Sequence, residues 1–466
     1  MFEKTYSTIS LYILCICMAG FFSCNKFLDK KITNGITSPQ KLEDLQALLD
    51  NASGLNDNIT PVFGEASSDD YFLNPDYRKV IDRTPLLKMV YIRQPYEYSF
   101  ENDWSKGYLP VYNANYCLEM LRKIDAETSN ADKWNNVYGS ALFLRAYHFL
   151  MLTWNYAKAY DPETADKDLG IVLRLTSDFN VPSKRASVRE SYEQILADAK
   201  ESVRYLPDLP LHVYRPSRWA AYGLLARAYL SMRRYDSAYR YADLCLQIKS
   251  DLMDYNGDDD IADWENIYPF KQFNKETIYY TASNPWQVTI LCSFPYALID
   301  SVLTGYYEEN DLRLKGYFFN IKGHYGFTGS YSQTPNNFTG IATDEVYLIR
   351  AECAARLNST AIGLKEAVMD LNALLAKRYE AETFVPLSNS EQDPLLDRIL
   401  LERRKELVCR GLRWMDIKRL NKEGRNIVLK RELDNVAYTV LPNANYYALP
   451  LPSDIIKIAG LEQNDQ

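Results

Sequence analysis

RWAAYGLLARAYLSMRRYDSAYRYADLCLQIK, residues 218–249, decides the fold class. Tyr222, Leu225, Ala226, Tyr229, Tyr235, Ala238, Ala242 and Cys245 recur in it at the steps of three and four residues that place side chains on one face of a helix. Small residues stand where two antiparallel helices would touch, and large ones fill the flanks of that contact. Such a stripe is unstable in water and must be buried against a neighbour.

The spacing is that of a tetratricopeptide (TPR) unit. Residues 346–357 and 364–378 repeat it more loosely, with Ala351, Ala354 and Ala367 as the small contacts, and residues 104–124 and 132–160 suggest a third pair. In that pair residues 141–154 are apolar nearly all round, so the second helix should be buried. Ser187-Val-Arg-Glu190 reads as a capping box that opens a further helix, which Pro207 and Pro210 close. Helical periodicity thus occupies about 100–250 and 343–421, and three or more such units can stack. Between and before these blocks, about 250–342 and 50–80, the chain is rich in Gly, Asn, Asp, Pro and aromatics. The expected fold is mainly α, with helical repeats packed against a loop-rich part that carries short strands.

Composition narrows the function. The 466 residues are 47% apolar and 24% charged, with 53 Lys and Arg against 61 Asp and Glu and a net charge of -8. This is enough apolar material for a large core, and with no basic run the field repels phosphate, so nucleic acid is not an expected partner. Three histidines, His148, His212 and His324, lie far apart without an HExxH pair. That leaves little material for a zinc site or a His-based triad, and no GxSxG elbow is present. Tyrosine, at 37 residues, is abundant and can fill a core or offer flat faces to a ligand.

Residues 9–22, ISLYILCICMAGFF, form an apolar stretch that is short for a bilayer span of about 20 residues and suits a signal-peptide core. It runs into Ser23-Cys24, which resembles the lipobox of bacterial lipoproteins. On that reading residues 1–23 are removed, Cys24 carries lipid, and residues 24–466 form the mature single domain. The alternative is an uncleaved anchor helix. Cys117, Cys245, Cys292, Cys353 and Cys409 remain; the set is odd and scattered, four of the five fall in helical patterns, and buried free thiols are expected.

Several clusters bear on chemistry. Glu402, Arg403, Glu406, Arg413 and Asp416 form the densest charge group. Glycoside hydrolysis needs two carboxyls about 5 to 9 Å apart across an open cleft, which one helix turn in a packed repeat does not supply, so the group reads as a structural ion-pair network. Asp254, Asn256, Asp258, Asp260 and Glu265 have the spacing of an EF-hand loop, but Asp259 stands where that loop needs glycine. A solvated acidic loop is expected there, with calcium as the minority alternative. Gly323-His-Tyr-Gly-Phe-Thr-Gly329 has phosphate-loop glycines but no following helix, and reads as a turn or hairpin. No cofactor is implied.

Two loops combine rings with polar groups: Asp69, Asp70, Tyr71 and Tyr77 in one, Asn284, Trp286 and Tyr296 in the other. A sugar stacks its C–H face on a ring while its hydroxyls seek Asp or Asn beside it. Trp286 leads, because Pro285 restrains its loop and a ring held ready loses little entropy on binding. Phe72 is assigned to the core.

Longer motifs extend the reading. Cys24 followed by Asn25-Lys-Phe-Leu-Asp29, then Leu144-Arg-Ala-Tyr-His-Phe149, Arg218-Trp-Ala-Ala-Tyr-Gly-Leu-Leu-Ala-Arg-Ala-Tyr229, Glu345-Val-Tyr-Leu-Ile-Arg-Ala-Glu352, Glu402-Arg-Arg-Lys-Glu-Leu407 and Gly411-Leu-Arg-Trp-Met-Asp-Ile-Lys-Arg419 resemble the SusD/RagB family of outer-membrane lipoproteins, in order along the chain. The resemblance implies about four TPR units against a loop-rich binding face. It also implies a lipid-anchored, cell-surface, non-enzymatic protein that delivers glycan, or peptide in RagB-like members, to a SusC-type TonB-dependent transporter. One position departs: the family often has Glu before the glycine of the last motif, and Arg410 stands there, which puts a local ion pair in question. Other readings are a protein-binding TPR adaptor and a surface glycoside hydrolase. If Cys24 is the anchor, Cys24→Ala abolishes labelling by a fatty-acid analogue and releases the protein from outer-membrane fractions; persistent labelling refutes the assignment.

Overall fold

Ser217 opens the deciding stretch by accepting a hydrogen bond from the Ala220 amide at 3.1 Å, which satisfies one free donor at the helix start. The chain then forms Arg218–Ser231, turns through Met232 to Arg234 with Arg233 at φ 59°, and returns as Tyr235–Ile248. Ala226, Ala238, Ala242 and Cys245 are all fully buried, as their spacing predicts. Gly223 is required here: a Cβ at that position would lie 2.8 Å from Ile341, whose strand crosses the helix.

The computed structural model describes Pro39 and residues 41–357, 361–388 and 392–466, and residues 41–466 form one compact unit. Cys24 and the expected signal segment lie outside the described residues. The helical frame consists of α1 (Asp103–Leu121), α2 (Ala131–Tyr156), α3 (Val188–Tyr205), α4 (Arg218–Ser231), α5 (Tyr235–Ile248), α6 (Thr343–Leu357), α7 (Ala361–Leu375), α8 (Gln392–Glu406) and α9 (Arg413–Asn421). Consecutive elements stack from α1 to α7, and α8 packs on α6 and α7. The three expected pairs are present as α1/α2, α4/α5 and α6/α7. The last two helices behave differently, because α9 turns back onto α2, α4 and the short helix Phe63–Ser67 and is tied to α8 by the Arg403–Asp416 ion pair at 2.9 Å.

Helix α2 is buried continuously from Gly139 to Tyr156, as its all-round apolar pattern demands. The capping box of α3 forms in both directions: the Glu190 amide donates to Ser187 Oγ at 3.1 Å, and the Ser187 amide donates to Glu190 Oε2 at 2.7 Å. Arg227 couples the repeats, donating from α4 to Glu345 Oε1 on α6 at 2.8 Å with both side chains buried. Cys117, Cys245 and Cys353 are buried helical thiols, Cys292 and Cys409 are also buried, and Cys409 lies just past α8 at φ 58°.

The two loop regions fold onto each other. Tyr71–Leu73 pairs antiparallel with Ala297–Ile299, with Phe72 opposite Leu298, and Thr60 bridges Ser283. Phe318–Ile321 and His324–Phe327 form a hairpin whose turn residues, Lys322 and Gly323, have φ of 53° and 89°. That pair of positive values is the signature of a tight hairpin turn, so the glycine-rich segment is the expected hairpin.

The charge cluster is broader than its sequence neighbourhood. Glu402 and Glu406 are buried and bound to Arg313 at 2.6 and 2.9 Å, and Arg378 holds Glu406 at 2.7 Å. Arg413 leaves the group and pairs with Asp69 instead. The acidic loop is not freely solvated: Lys377 holds Asp254 and Lys275 holds Asp258, each at 2.7 Å, and the Lys275 amide donates to Asp260. Ammonium groups thus occupy the surroundings a calcium ion would need, while Glu265 stays exposed. Overpacking a tight contact costs about 1 to 3 kcal/mol. Ala226→Leu therefore lowers the denaturation midpoint, and an unchanged midpoint would mean that α4 and α5 do not close on this side chain.

Candidate functional site

Four arginines position the loop Ser67–Tyr71. Arg413 grips Asp69 with two bonds of 2.7 and 2.8 Å, and Arg404 donates to Asp70 at 2.9 Å. From the other side Arg93 and Arg431 both donate to the Ser68 carbonyl, at 2.6 and 2.8 Å. Burial pushes the Asp69 carboxyl up, but Arg413 more than offsets this and holds it well below the usual range. For Asp70 burial prevails over Arg404 and Arg413, and its value is raised.

This clamp corrects part of the binding assignment. Tyr71 is 1% exposed, donates its hydroxyl to the Ala66 carbonyl and lies under the Arg431 guanidinium at 4.3 Å, so it is core. Asp70 is 1% exposed and spent on Arg404, and Asn284 is 3% exposed and donates to Asp103 at 2.8 Å. Neither offers a free polar group to a ligand. Asp69 is partly exposed but committed to Arg413.

Tyr77 and Tyr296, from different loops, do meet. Their rings touch edge to face, with centroids 4.9 Å apart, and both remain half-buried. Asn74 holds the two loops together: its amide donates to the Tyr296 carbonyl at 2.8 Å, and its side chain donates to the Pro295 carbonyl at 3.1 Å. Phe294 lies against Gly326, where a Cβ would come within 2.4 Å of its ring, and Phe319 stands beside it at 5.7 Å and 47% exposed. Phe72 is half-buried and faces the exposed His324 at 5.9 Å, so it is not the core residue expected. Three ring pairs, Phe72 with His324, Tyr77 with Tyr296 and Phe294 with Phe319, thus make an aromatic face on these loops, of which the sequence reading named only Tyr77 and Tyr296 as contacts.

Beside the turn that carries Tyr77 lies a groove of about 340 Å³, where Arg78, Glu432, Asp434 and Asn435 supply polar groups and Arg78 pairs with Asp434. Trp286 sits apart, half-buried on Phe63 and Tyr98 with centroids at 5.6 and 6.1 Å. Among the described residues no group of three or more His, Cys, Asp or Glu is arranged to hold a metal ion.

The fold is a helical-repeat scaffold presenting an aromatic, loop-borne face, and comparison with known proteins gives its class. Residues 26–230 match a SusD-like family model described as starch-binding and associating with the outer membrane, and residues 312–461 match the SusD family model. The chain belongs to the SusD/RagB family. It is 24% identical over 428 residues to SusD-like protein P2 of Formosa agariphila, covering 78% of this chain and 79% of that one. The fold matches the crystal structure of a SusD superfamily protein from Bacteroides thetaiotaomicron, with a TM-score of 0.72, 21% identity, and coverage of 91% of this chain and 100% of the other. A putative sugar binding protein from Bacteroides vulgatus matches with a TM-score of 0.71 and 20% identity, over 92% and 99% of the two chains. Among the described residues no helix is long and apolar enough to cross a membrane.

Beneath the clamped loop Glu65 accepts from the Gly411 amide at 3.0 Å, while its Oε1 has no partner. Burial, reinforced by Asp70, raises its carboxyl from 4.5 to about 8. A raised carboxyl contributes stability that is complete below the unfolded value and is lost as pH rises through the folded one. The wild type should therefore lose stability relative to Glu65→Gln, read from urea midpoints, as pH rises from 4.5 to 8. A difference independent of pH would show that water reaches this carboxyl.

Proposed function

We propose that this protein is a cell-surface glycan-binding lipoprotein that captures an oligosaccharide or polysaccharide and passes it to a SusC-type TonB-dependent transporter. The observation that carries the reading is the Tyr77–Tyr296 pair, two rings from separate loops fixed by Asn74 and left partly open within a wider aromatic face. Sugars stack their C–H faces on such rings, and the adjoining groove supplies acceptors and donors for hydroxyls. Family membership and the sugar-binding description of a solved relative support the choice of ligand class. Lipid attachment at Cys24 would keep the domain at the outer membrane.

The role is binding without catalysis. Glu402 and Glu406, the helix-borne carboxylate pair, are closed in by Arg313, Arg378 and Lys405 and cannot flank a scissile bond.

Screening the mature domain on glycan and peptide arrays tests the reading, with turnover followed on any glycan bound. Ring stacking is worth about 0.5 to 1.5 kcal/mol beyond burial. Tyr77→Ala and Tyr296→Ala should therefore each weaken glycan affinity several-fold and leave the folding midpoint nearly unchanged. Binding of peptides alone, or glycan affinity indifferent to both substitutions, overturns it. Co-purification with a TonB-dependent transporter tests the delivery step.

A further inference from the structure

Lys418, on α9, is 5% exposed and has its ammonium inside the protein. It donates to the Trp154 and Ala157 carbonyls, at 2.7 and 2.5 Å, which are free acceptors at the C-terminal end of α2. Those two bonds use two of its three N–H groups. Burial drives the ammonium down to about 7. A buried cation with only carbonyl dipoles for company is costly, and a full counter-charge would relieve that cost.

When Lys418 is protonated, the surroundings leave one positive charge over. Lys418 lines a small cavity of about 30 Å³ together with Lys158, Lys422, Asn421, Asn443 and Tyr447. Lys422 pairs with Asp161 at 3.0 Å and Lys158 with Asp168 at 3.5 Å. Three ammonium groups therefore meet two carboxylates, and neither carboxylate is bound to Lys418. The cavity has about the volume of one water molecule, which is also the size of a small spherical ion.

We propose that this cavity binds a single halide ion, chloride under ordinary conditions, held by Lys418 and neighbouring side-chain donors. The ion would balance the charge at the junction of α9 with the end of α2, on the scaffold rather than on the aromatic face. Because α9 has left the repeat stack to reach α2, the ion would lie where the last repeat is fastened to the frame.

The test uses the mature domain in chloride and in gluconate, which is too large for the cavity, at equal ionic strength. Chloride should raise the melting temperature by a few degrees in a saturable way, and bromide in soaked crystals should give an anomalous peak within hydrogen-bonding distance of Lys418 Nζ. Ala444→Leu fills the cavity from its rim and leaves the bonds of Lys418 intact, so it should fold and lose the chloride response. Lys418→Met should lose both the response and the bromide peak. Bromide found only on the surface, an adventitious ion only, overturns the proposal, as does an equal chloride response in Ala444→Leu.

Discussion

Arg313 has no exposed side-chain surface, yet it binds three carboxylates at once: Asp311, Glu402 and Glu406, at 2.7, 2.6 and 2.9 Å. Arg378 extends the chain of charges from Glu406 to Glu276 at 2.8 Å, and Tyr331 donates to Glu276 at 2.6 Å. Glu402 and Glu406 belong to the helical frame, whereas Arg313, Glu276 and Tyr331 belong to the loop-rich region. Removing one partner from a buried pair typically costs about 3 to 5 kcal/mol, because the other charge is stranded. The loop region can therefore seat on the frame only where every member of this set finds its partner. The aromatic hairpin begins at Phe318, directly after the short helix that contains Arg313, so this seating also fixes the aromatic face.

Arg410, the position that the sequence left in question, has its own counter-ion, Asp344, at 2.7 Å. Its guanidinium also lies 4.0 Å from the centre of the Tyr331 ring, which links it to the residue that bonds Glu276. Burial raises Asp344 to about 7 although Arg410 opposes the shift. Arg410 and Asp344 thus form an ion pair between different elements.

The helical frame was legible because its signals are local. Ala226 and Ala238 mark a helix contact through spacing alone, and Ser187 with Glu190 marks a helix start within four residues. The network was only half legible: the run from Glu402 to Asp416 announces buried charge, but its partners Arg313 and Arg378 lie in segments with no periodicity to place them. The departure of α9 from a regular repeat was hidden for the same reason. Its partners, the end of α2 and the helix Phe63–Ser67, are set by tertiary packing.

The aromatic face was the least legible part, and Tyr71 and Phe72 show why. Both are aromatic, both follow Asp70, and composition gives no basis for separating them. In an extended strand successive side chains point to opposite faces, so once Tyr71–Leu73 pairs with Ala297–Ile299 one ring must enter the core and the next must leave it. Tyr71 is the ring that enters, under Arg431, which stacks on it from a hairpin more than three hundred residues away in the chain. Phe72 is then turned toward His324, and the ring that looked like core becomes part of the open face. For these two rings the division between core and surface is therefore set by long-range strand pairing and packing, not by the aromatic residues themselves.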